Sequence, residues 1–422
     1  MMDPGPPDLD AAVLELDVGH IAHGGHCLAR AEDGRVVFVR HALPGERVRA
    51  RVTEQRREYL RADAIEVLTA SPDRVTPPCP WAGPDRCGGC DLQHVAPAAQ
   101  AELKADVVRE QLVRLGGMSA AEVAGVRVLA ADGWTDGTGW RTRVRYTVDS
   151  TGRAGLLKHR SHEVVPVDRC LIAHPAVDAA PVLDRTWADA NAVEVVASAS
   201  GEVTVLSQPA GGRPTRVSGP PTVVERAVGR EWTVPAGSFW QVHPAAADTL
   251  ADAVLAMLDP RPGERAWDLY GGVGLFAAAL ATRLAPGGSV TLVEGDARAA
   301  AAARHNVPGI TVVRSDVERS LSRLPDPDIV VLDPPRSGAG RRVVRALVDR
   351  APRAVAYVAC DPAALARDVR TFRDAGWRLA GLTGYDLFPM THHVECVARL
   401  LPPEAATTGL PPEAANTALL PE

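Results

Sequence analysis

The sequence predicts an α/β protein: a C-terminal doubly wound, Rossmann-like domain, preceded by a small OB-like β-barrel and a mainly β central domain. Three observations carry this. After Pro244, apolar runs of strand length alternate with stretches of helical period, as βα units do. From Leu14 to Leu68, short apolar–polar alternations are punctuated by Gly24-Gly25, Asp33-Gly34 and Pro44-Gly45, which reads as the strands and turns of a barrel. Between Trp140 and Val234 the short-strand pattern returns.

A length of 422 residues favours two or three domains. The expected division is a barrel over 9–68, a central domain over 69–236, the Rossmann-like domain over 237–400 and a tail over 401–422. The tail repeats Pro-Pro-Glu-Ala-Ala and carries too little apolar surface to fold, so disorder is expected there. With 46% apolar and 23% charged residues, the composition is that of a soluble globular protein. No run of eighteen apolar residues occurs, and Met1 to Asp10 lacks a basic start followed by an apolar stretch. A cytoplasmic monomer with no membrane partner is therefore expected. A net charge of −6 argues against indiscriminate coating of nucleic acid, so any contact with it must come from local basic patches. Two exist. Arg40 to Arg61 holds seven arginines against three glutamates, and Arg141 to Arg160 holds six basic residues against one acid. Alternation puts Arg141, Arg143 and Arg145 on one strand face, either a phosphate-contacting surface or a solvated edge.

A Pro/Gly/Cys-rich stretch, Pro77 to His94, leads into a helix over 97–117, expected to pack on the C-terminal domain. Beyond Pro244 the expected helices are 246–258, 275–284, 297–305, 341–349 and 362–375, and the expected strands are 265–269, 289–293, 311–313, 329–332 and 354–358.

Ala266 to Phe276 runs from strand through Tyr270-Gly-Gly272-Val-Gly274 into helix, where glycine lets the backbone approach a nucleotide or nucleoside closely. Glu294, at the end of the next strand, is placed to accept ribose hydroxyls. This loop alone allows NAD or S-adenosylmethionine. Leu332-Asp-Pro-Pro-Arg336 discriminates: the proline pair locks the chain extended and fixes Asp333 at the ligand edge of the sheet. Asp316, after the third strand, is a candidate for an adenine amino group or a simple helix cap. Cys360 follows the fifth strand in Tyr-Val-Ala-Cys-Asp-Pro, and a later loop carries Tyr385-Asp-Leu-Phe-Pro-Met-Thr-His-His-Val-Glu395. His392 and His393 read as neighbours on a strand pointing to opposite sides, which disfavours a metal there.

These motifs together resemble the RNA 5-methyluridine methyltransferases, enzymes of 23S ribosomal RNA and of the tRNA T-loop, over nearly all of Leu14 to Leu400. The signatures are Asp333-Pro-Pro-Arg-Ser-Gly338 through Cys360, and Asp386-Leu-Phe-Pro-Met-Thr-His-His-Val-Glu395. Departures are local: Ala359 and Asp361 flank the cysteine where Ser and Asn are usual, Ala364 replaces Thr, and Met390 replaces a polar or aromatic residue. The resemblance implies an RNA-binding TRAM domain for the barrel, S-adenosyl-L-methionine as cofactor, Cys360 as nucleophile and Glu395 as base. It implies cofactor contacts from Gln241, in Ser238-Phe-Trp-Gln241, and from Tyr270, Gly272, Gly274, Glu294, Asp316 and Asp333, with Phe239 near the base and His243 in place of a usual Asn. The residue types suit the chemistry in their own right. A thiolate adding at C6 of uracil makes C5 an enolate carbon able to attack a sulfonium methyl, and a base must then remove the C5 proton.

Cys79, Cys87 and Cys90, with Cys170 further on, resemble the iron–sulfur site of the ribosomal RNA members. Four thiolates suit a [4Fe-4S] cluster or zinc on ligand count, and the resemblance favours the cluster. It also favours 23S ribosomal RNA over tRNA as the substrate. Two other classes compete: a non-catalytic RNA-binding or assembly factor, and an NAD-dependent oxidoreductase.

Overall fold

The computed structural model describes residues 12–403 apart from 132 and 135. Nearly all of the tail expected to be disordered lies outside the described residues. The chain forms two compact units. One comprises the chain through Thr249 with Cys360–Ala363 and Thr383–Glu395, the other Leu250–Ala359, Ala364–Leu382 and the chain from Cys396 onward.

The second unit is built on strands β1 (Arg265–Leu269), β2 (Ser289–Glu294), β3 (Thr311–Arg314), β4 (Ile329–Leu332), β5 (Ala354–Ala359), β6 (Arg378–Asp386) and β7 (Glu395–Leu401), in the order β3-β2-β1-β4-β5-β7-β6. Neighbours among β1 to β5 are parallel, and β7 runs antiparallel to β5. Every residue of β4 and β5 is buried, which is why both read as unbroken apolar runs rather than as alternating strands. The strand order reverses between β1 and β4, and ligands of doubly wound sheets sit at the carboxyl ends of strands at such a point. The first residue of β7, Glu395, and the last four of β6 belong to the first unit, where those four pair in parallel with Arg127–Ala130.

In the first unit a six-stranded barrel sheet has the order Val13–Asp17, Arg47–Gln55, Tyr59–Thr69, Val36–Arg40, His26–Arg30, Ile21–Ala22. Alternation decides its faces: Val48, Ala50 and Val52 point into the core, while Arg47, Arg49 and Arg51 point out. A second six-stranded sheet is centred on Arg143–Val148 and Ala192–Ala197, followed by the hairpin Thr222–Ala227 with Arg230–Pro235. Here the expected arginine face needs correction. Arg143 is buried, with Nη1 donating to the Ser238 carbonyl at 2.6 Å and Nη2 3.2 Å from Glu225. A guanidinium out of water needs a carboxylate partner, and Glu225 supplies it, so of the three only Arg145 is fully exposed. The helix expected over 97–117 runs Pro97–Arg114, with proline in its first turn and Gly116-Gly117 beyond its end.

Candidate active site

The loop after β1 passes three times through left-handed backbone, at Tyr270 (φ 65°), Gly272 (54°) and Gly274 (102°). Gly274 must be glycine, because a Cβ there would lie 2.9 Å from Val307 Cγ2. Tyr270 lacks that freedom, and such a conformation costs about 1–3 kcal/mol, strain of the kind concentrated at ligand sites. A Cβ on Gly272 would meet nothing within 4 Å, so that side of the loop is open. The Gly272 N–H donates to Glu294 Oε2 at 2.9 Å and the Asp296 N–H to Glu294 Oε1 at 2.6 Å. Glu294 is thereby fixed at the end of β2 with lone pairs to spare.

Two acids end the adjacent strands. Asp268 is fully buried; its Oδ2 accepts the Ala277 N–H at 2.9 Å, and its Oδ1 has no hydrogen-bond partner among the described residues. Burial pushes its carboxyl up to about 7, and Glu294 adds to the effect. Burial likewise pushes Asp333 up to about 7, with the Asp268 charge contributing. The chain after Asp333 is tied down by Asp368, whose Oδ2 accepts from Tyr357 Oη (2.7 Å) and from the N–H groups of Ala339 (2.8 Å) and Gly340 (3.2 Å). Asp316 caps the short helix Val317–Ser320, its Oδ1 accepting the Arg319 N–H at 3.2 Å. It also adds its charge to the burial that pushes the Tyr270 hydroxyl up to about 12.

Cys360 is the first residue after β5 and Glu395 the first of β7. The register of this antiparallel pair runs Val358 opposite Val397 and Ala359 opposite Cys396. Cys360 and Glu395 each stand one residue beyond this last pair, Cys360 just outside its strand and Glu395 at the start of its own. Glu395 is buried and Cys360 half-buried. The segment leading to Glu395 is held by the helix Pro97–Arg114. Lys104 Nζ, buried, lies 2.5 Å from Asp386 Oδ1 and donates to the Phe388 carbonyl at 3.0 Å. Gln100 Oε1 accepts the Met390 N–H at 2.8 Å, where Met390 has a φ of 67°. His392 Nδ1 lies 2.6 Å from Asp91 Oδ2. The histidine pair corrects the expectation of opposed neighbours on a strand. Both precede β7 in irregular backbone, and their rings lie 4.1 Å apart.

Gln241 is half-buried on the segment after the Arg230–Pro235 strand. Next to it the Val242 carbonyl accepts from the Thr142 N–H (2.8 Å) and Oγ1 (2.9 Å), while Phe239 is 72% exposed. Gln241, Cys360 and Glu395 belong to the first unit, and Tyr270, Gly272, Gly274, Glu294, Asp316 and Asp333 to the second.

Cys79, Cys87, Cys90 and Cys170 all line one cavity of about 170 Å³, together with Arg141, Arg145 and Arg169. Burial pushes the Cys170 thiol up to about 11 and raises Cys87 and Cys90 as well. Among the described residues no three His, Cys, Asp or Glu side chains converge closely enough to hold a single metal ion. A larger cleft of about 710 Å³ is lined by Arg40, Arg51, Arg61, Arg86, Lys158 and Arg160, with Glu54, Asp63 and Asp85 as its acids. Arg40 is buried there, its Nη2 without a hydrogen bond among the described residues and 3.8 Å from Asp91.

The TRAM domain model matches residues 11–65 and the tRNA (Uracil-5-)-methyltransferase model matches residues 229–401. An uncharacterized RNA methyltransferase of Streptomyces avermitilis is 50% identical, over 92% of this chain and 98% of its own length. The 23S rRNA (uracil(1939)-C(5))-methyltransferase RlmD of Chromohalobacter salexigens is 33% identical, over 93% and 90%. The chain belongs to the RNA uracil-C5-methyltransferase family. In fold it is similar to the Pyrococcus abyssi tRNA (uracil-54, C5)-methyltransferase solved with S-adenosyl-L-homocysteine, with a TM-score of 0.69, 22% identity, and coverage of 91% of this chain and 99% of that one.

Against this family background, sequence reasoning missed three groups. Asp268 had a signal, an acid inside an otherwise apolar strand just before the glycines. Gln100 and Lys104 had one too, polar residues four apart on the apolar face of a helix. Asp368 had none, since the helix face it occupies is legible only once Tyr357 is placed against it.

Proposed function

We propose that the protein methylates C5 of a uridine in RNA, 23S ribosomal RNA first, with S-adenosyl-L-methionine as methyl donor and Cys360 as covalent nucleophile. The observation that carries this reading is the placement of Cys360 and Glu395 one residue beyond the Ala359–Cys396 pair, at the ends of β5 and β7. The Cys360 thiolate adds to C6, and the C5=C6 electron pair moves into the enolate. C5 then takes the methyl group as the sulfonium–methyl bond breaks. Glu395 removes the C5 proton, and the returning electrons restore C5=C6 and expel the thiolate. A nucleophile and a base at neighbouring strand ends suit one ring whose C5 and C6 are adjacent. The uridine must leave its stack to reach them, and the exposed Phe239 is a ring on which an unstacked base can rest.

The second unit suits the cofactor, which when bound supplies an electrophilic methyl on a sulfonium. The open side of Gly272 admits it, Glu294 accepts its ribose hydroxyls, Asp316 takes the adenine amino group, and Tyr270, Gly274 and Asp333 shape the strand ends around it. Gln241 is assigned to the cofactor by its motif. The barrel over 9–68 contacts RNA through the arginine-lined cleft, the central domain spans 69–236, and the transferase domain spans 237–400. The enzyme acts as a cytoplasmic monomer.

A [4Fe-4S] cluster is assigned to the four cysteines ahead of zinc. Four thiols lining one cavity supply enough ligands for either group, and the family resemblance of their spacing favours the cluster. The cluster's role is structural, because methyl transfer moves no electron to or from it.

Mapping 5-methyluridine in ribosomal RNA and tRNA, with and without the gene, tests the reading. Loss at a 23S position supports it in full. Loss only in tRNA moves the substrate, and no change in either RNA overturns the function.

A further inference from the structure

We infer that His23, on a turn of the β-barrel, is a positioning residue for the nucleophile, acting through Asp361, the residue that follows Cys360. The inference rests on the assignment of Cys360 as nucleophile. His23 Nε2 lies 3.2 Å from Asp361 Oδ2. The turn that carries it is fixed from both sides. Behind it, the hairpin pairs Ile21 with Cys27 and Ala22 with His26. Ahead of it, Gly24 and Gly25 take φ values of 93° and 75°, and a Cβ on Gly25 would fall 2.7 Å from Asp91 Cβ and 3.0 Å from His392 Cβ. No larger residue fits without displacing both neighbours. The turn is thus wedged against the segment leading to Glu395, with His23 edge-on to the His392 ring at 6.4 Å. One barrel turn touches the neighbour of the nucleophile and the approach to the base at once.

Asp361 stands where the chain leaves β5 and enters the helix Pro362–Asp374. A carboxylate there ordinarily caps the helix. His23 adds an anchor outside that helix, so the direction in which Cys360 leaves the strand is set by the barrel as well as by the sheet. Misplacement of a reacting group by about 1 Å costs on the order of 100-fold in rate. The barrel therefore does more than hold RNA: its turn aligns the thiol.

The test compares His23→Ala, His23→Gln and Asp361→Asn in the full-length protein. RNA containing 5-fluorouridine traps the adduct, because C5 then carries fluorine in place of the removable proton. Trapping rate, kcat, KM for RNA and melting temperature are measured for each. His23→Ala, which leaves any Asp361 cap intact, should slow trapping and kcat by about 10-fold or more, with KM within about 3-fold. His23→Gln can donate to the carboxylate from nearly the same place, and should recover most of the loss. Asp361→Asn keeps a capping oxygen and should fall between. Wild-type trapping by His23→Ala, a loss confined to KM, or a Gln variant no better than Ala at equal melting temperature would each overturn the inference. If His23→Ala fails to fold, the Gln and Asn variants decide it: Asp361→Asn slower than His23→Gln at equal melting temperature supports the anchor, and both at the wild-type rate overturn it. Absence of Cys360-dependent trapping in the wild type would sink the proposed function itself, a separate outcome.

Discussion

Ala359 and Cys396 are the last registered pair of two antiparallel strands, and Cys360 and Glu395 are the residues next to them along the chain. The two come from segments joined by a helix and a strand, yet the pairing of β5 with β7 brings them together. If Glu395 is the base, Glu395→Gln still allows addition and methyl transfer but blocks elimination. On a denaturing gel with RNA and methyl-labelled cofactor, this variant should give an RNA-shifted, labelled protein band, and Cys360→Ala should give none. Normal turnover by the Gln variant would remove Glu395 from the role while leaving Cys360 in place.

Lys104 and Asp386 form a buried pair whose lysine also serves the Phe388 carbonyl. Breaking it strands a carboxylate in the interior. Lys104→Ala should destabilise the protein by about 3–5 kcal/mol in denaturant titration. Lys104→Met with Asp386→Leu should restore much of the stability but not the activity, since the segment leading to Glu395 loses its tether. A single variant as stable as wild type would show that the pair carries little.

The chain's periodicities made most of the second unit legible: the expected strand 265–269 and helices 246–258 and 275–284 recur as Arg265–Leu269, Ala246–Leu258 and Leu275–Leu284. Local chemistry suffices there, because parallel strands buried on both faces must be apolar throughout. Arg143 shows where local reading fails. Alternation placed it beside Arg145, but its fate depends on Glu225, a partner no local pattern announces. The same holds for His23 and Asp361. Their meeting is a property of the tertiary fold and leaves no trace in either neighbourhood of the sequence.

The cysteine-lined cavity supports a colour test. Anaerobically purified wild-type protein should be brown and contain iron and sulfide, and Cys87→Ser or Cys90→Ser should be pale and melt at lower temperature. A colourless wild type containing zinc would overturn the cluster.

The arginine-lined cleft gives a salt test. Each phosphate neutralised contributes about −0.7 to the slope of log K against log salt for single strands. Arg86→Gln and Arg160→Gln, at two exposed positions lining the cleft, should each weaken RNA binding and flatten that slope, with methylation at saturating RNA nearly unchanged. Slopes identical to wild type would make the cleft a solvated face.

Asp268 and Asp333 lie close enough for the charge of one to raise the other, and both are pushed from 3.8 up to about 7. Folding raises these values, so between about pH 4 and about pH 7 the folded state holds protons that the unfolded chain has released. Each group's contribution therefore turns against folding as pH rises through that window and is constant above it. The two titrate as a pair, and every tenfold gain in proton affinity on folding corresponds to about 1.4 kcal/mol. His26, His41 and His94 act in the opposite sense, because burial lowers them to about 3, 3 and 4, and their contribution is lost as pH falls below 6.5. They are common to wild type and variant, so a difference measurement removes them. Asp268→Asn keeps an oxygen for the Ala277 N–H but cannot ionise. Its melting temperature relative to wild type should climb from pH 4 to pH 7 in cofactor-free protein and then level off. A difference that does not change with pH would mean that Asp268 is already ionised in the folded state throughout.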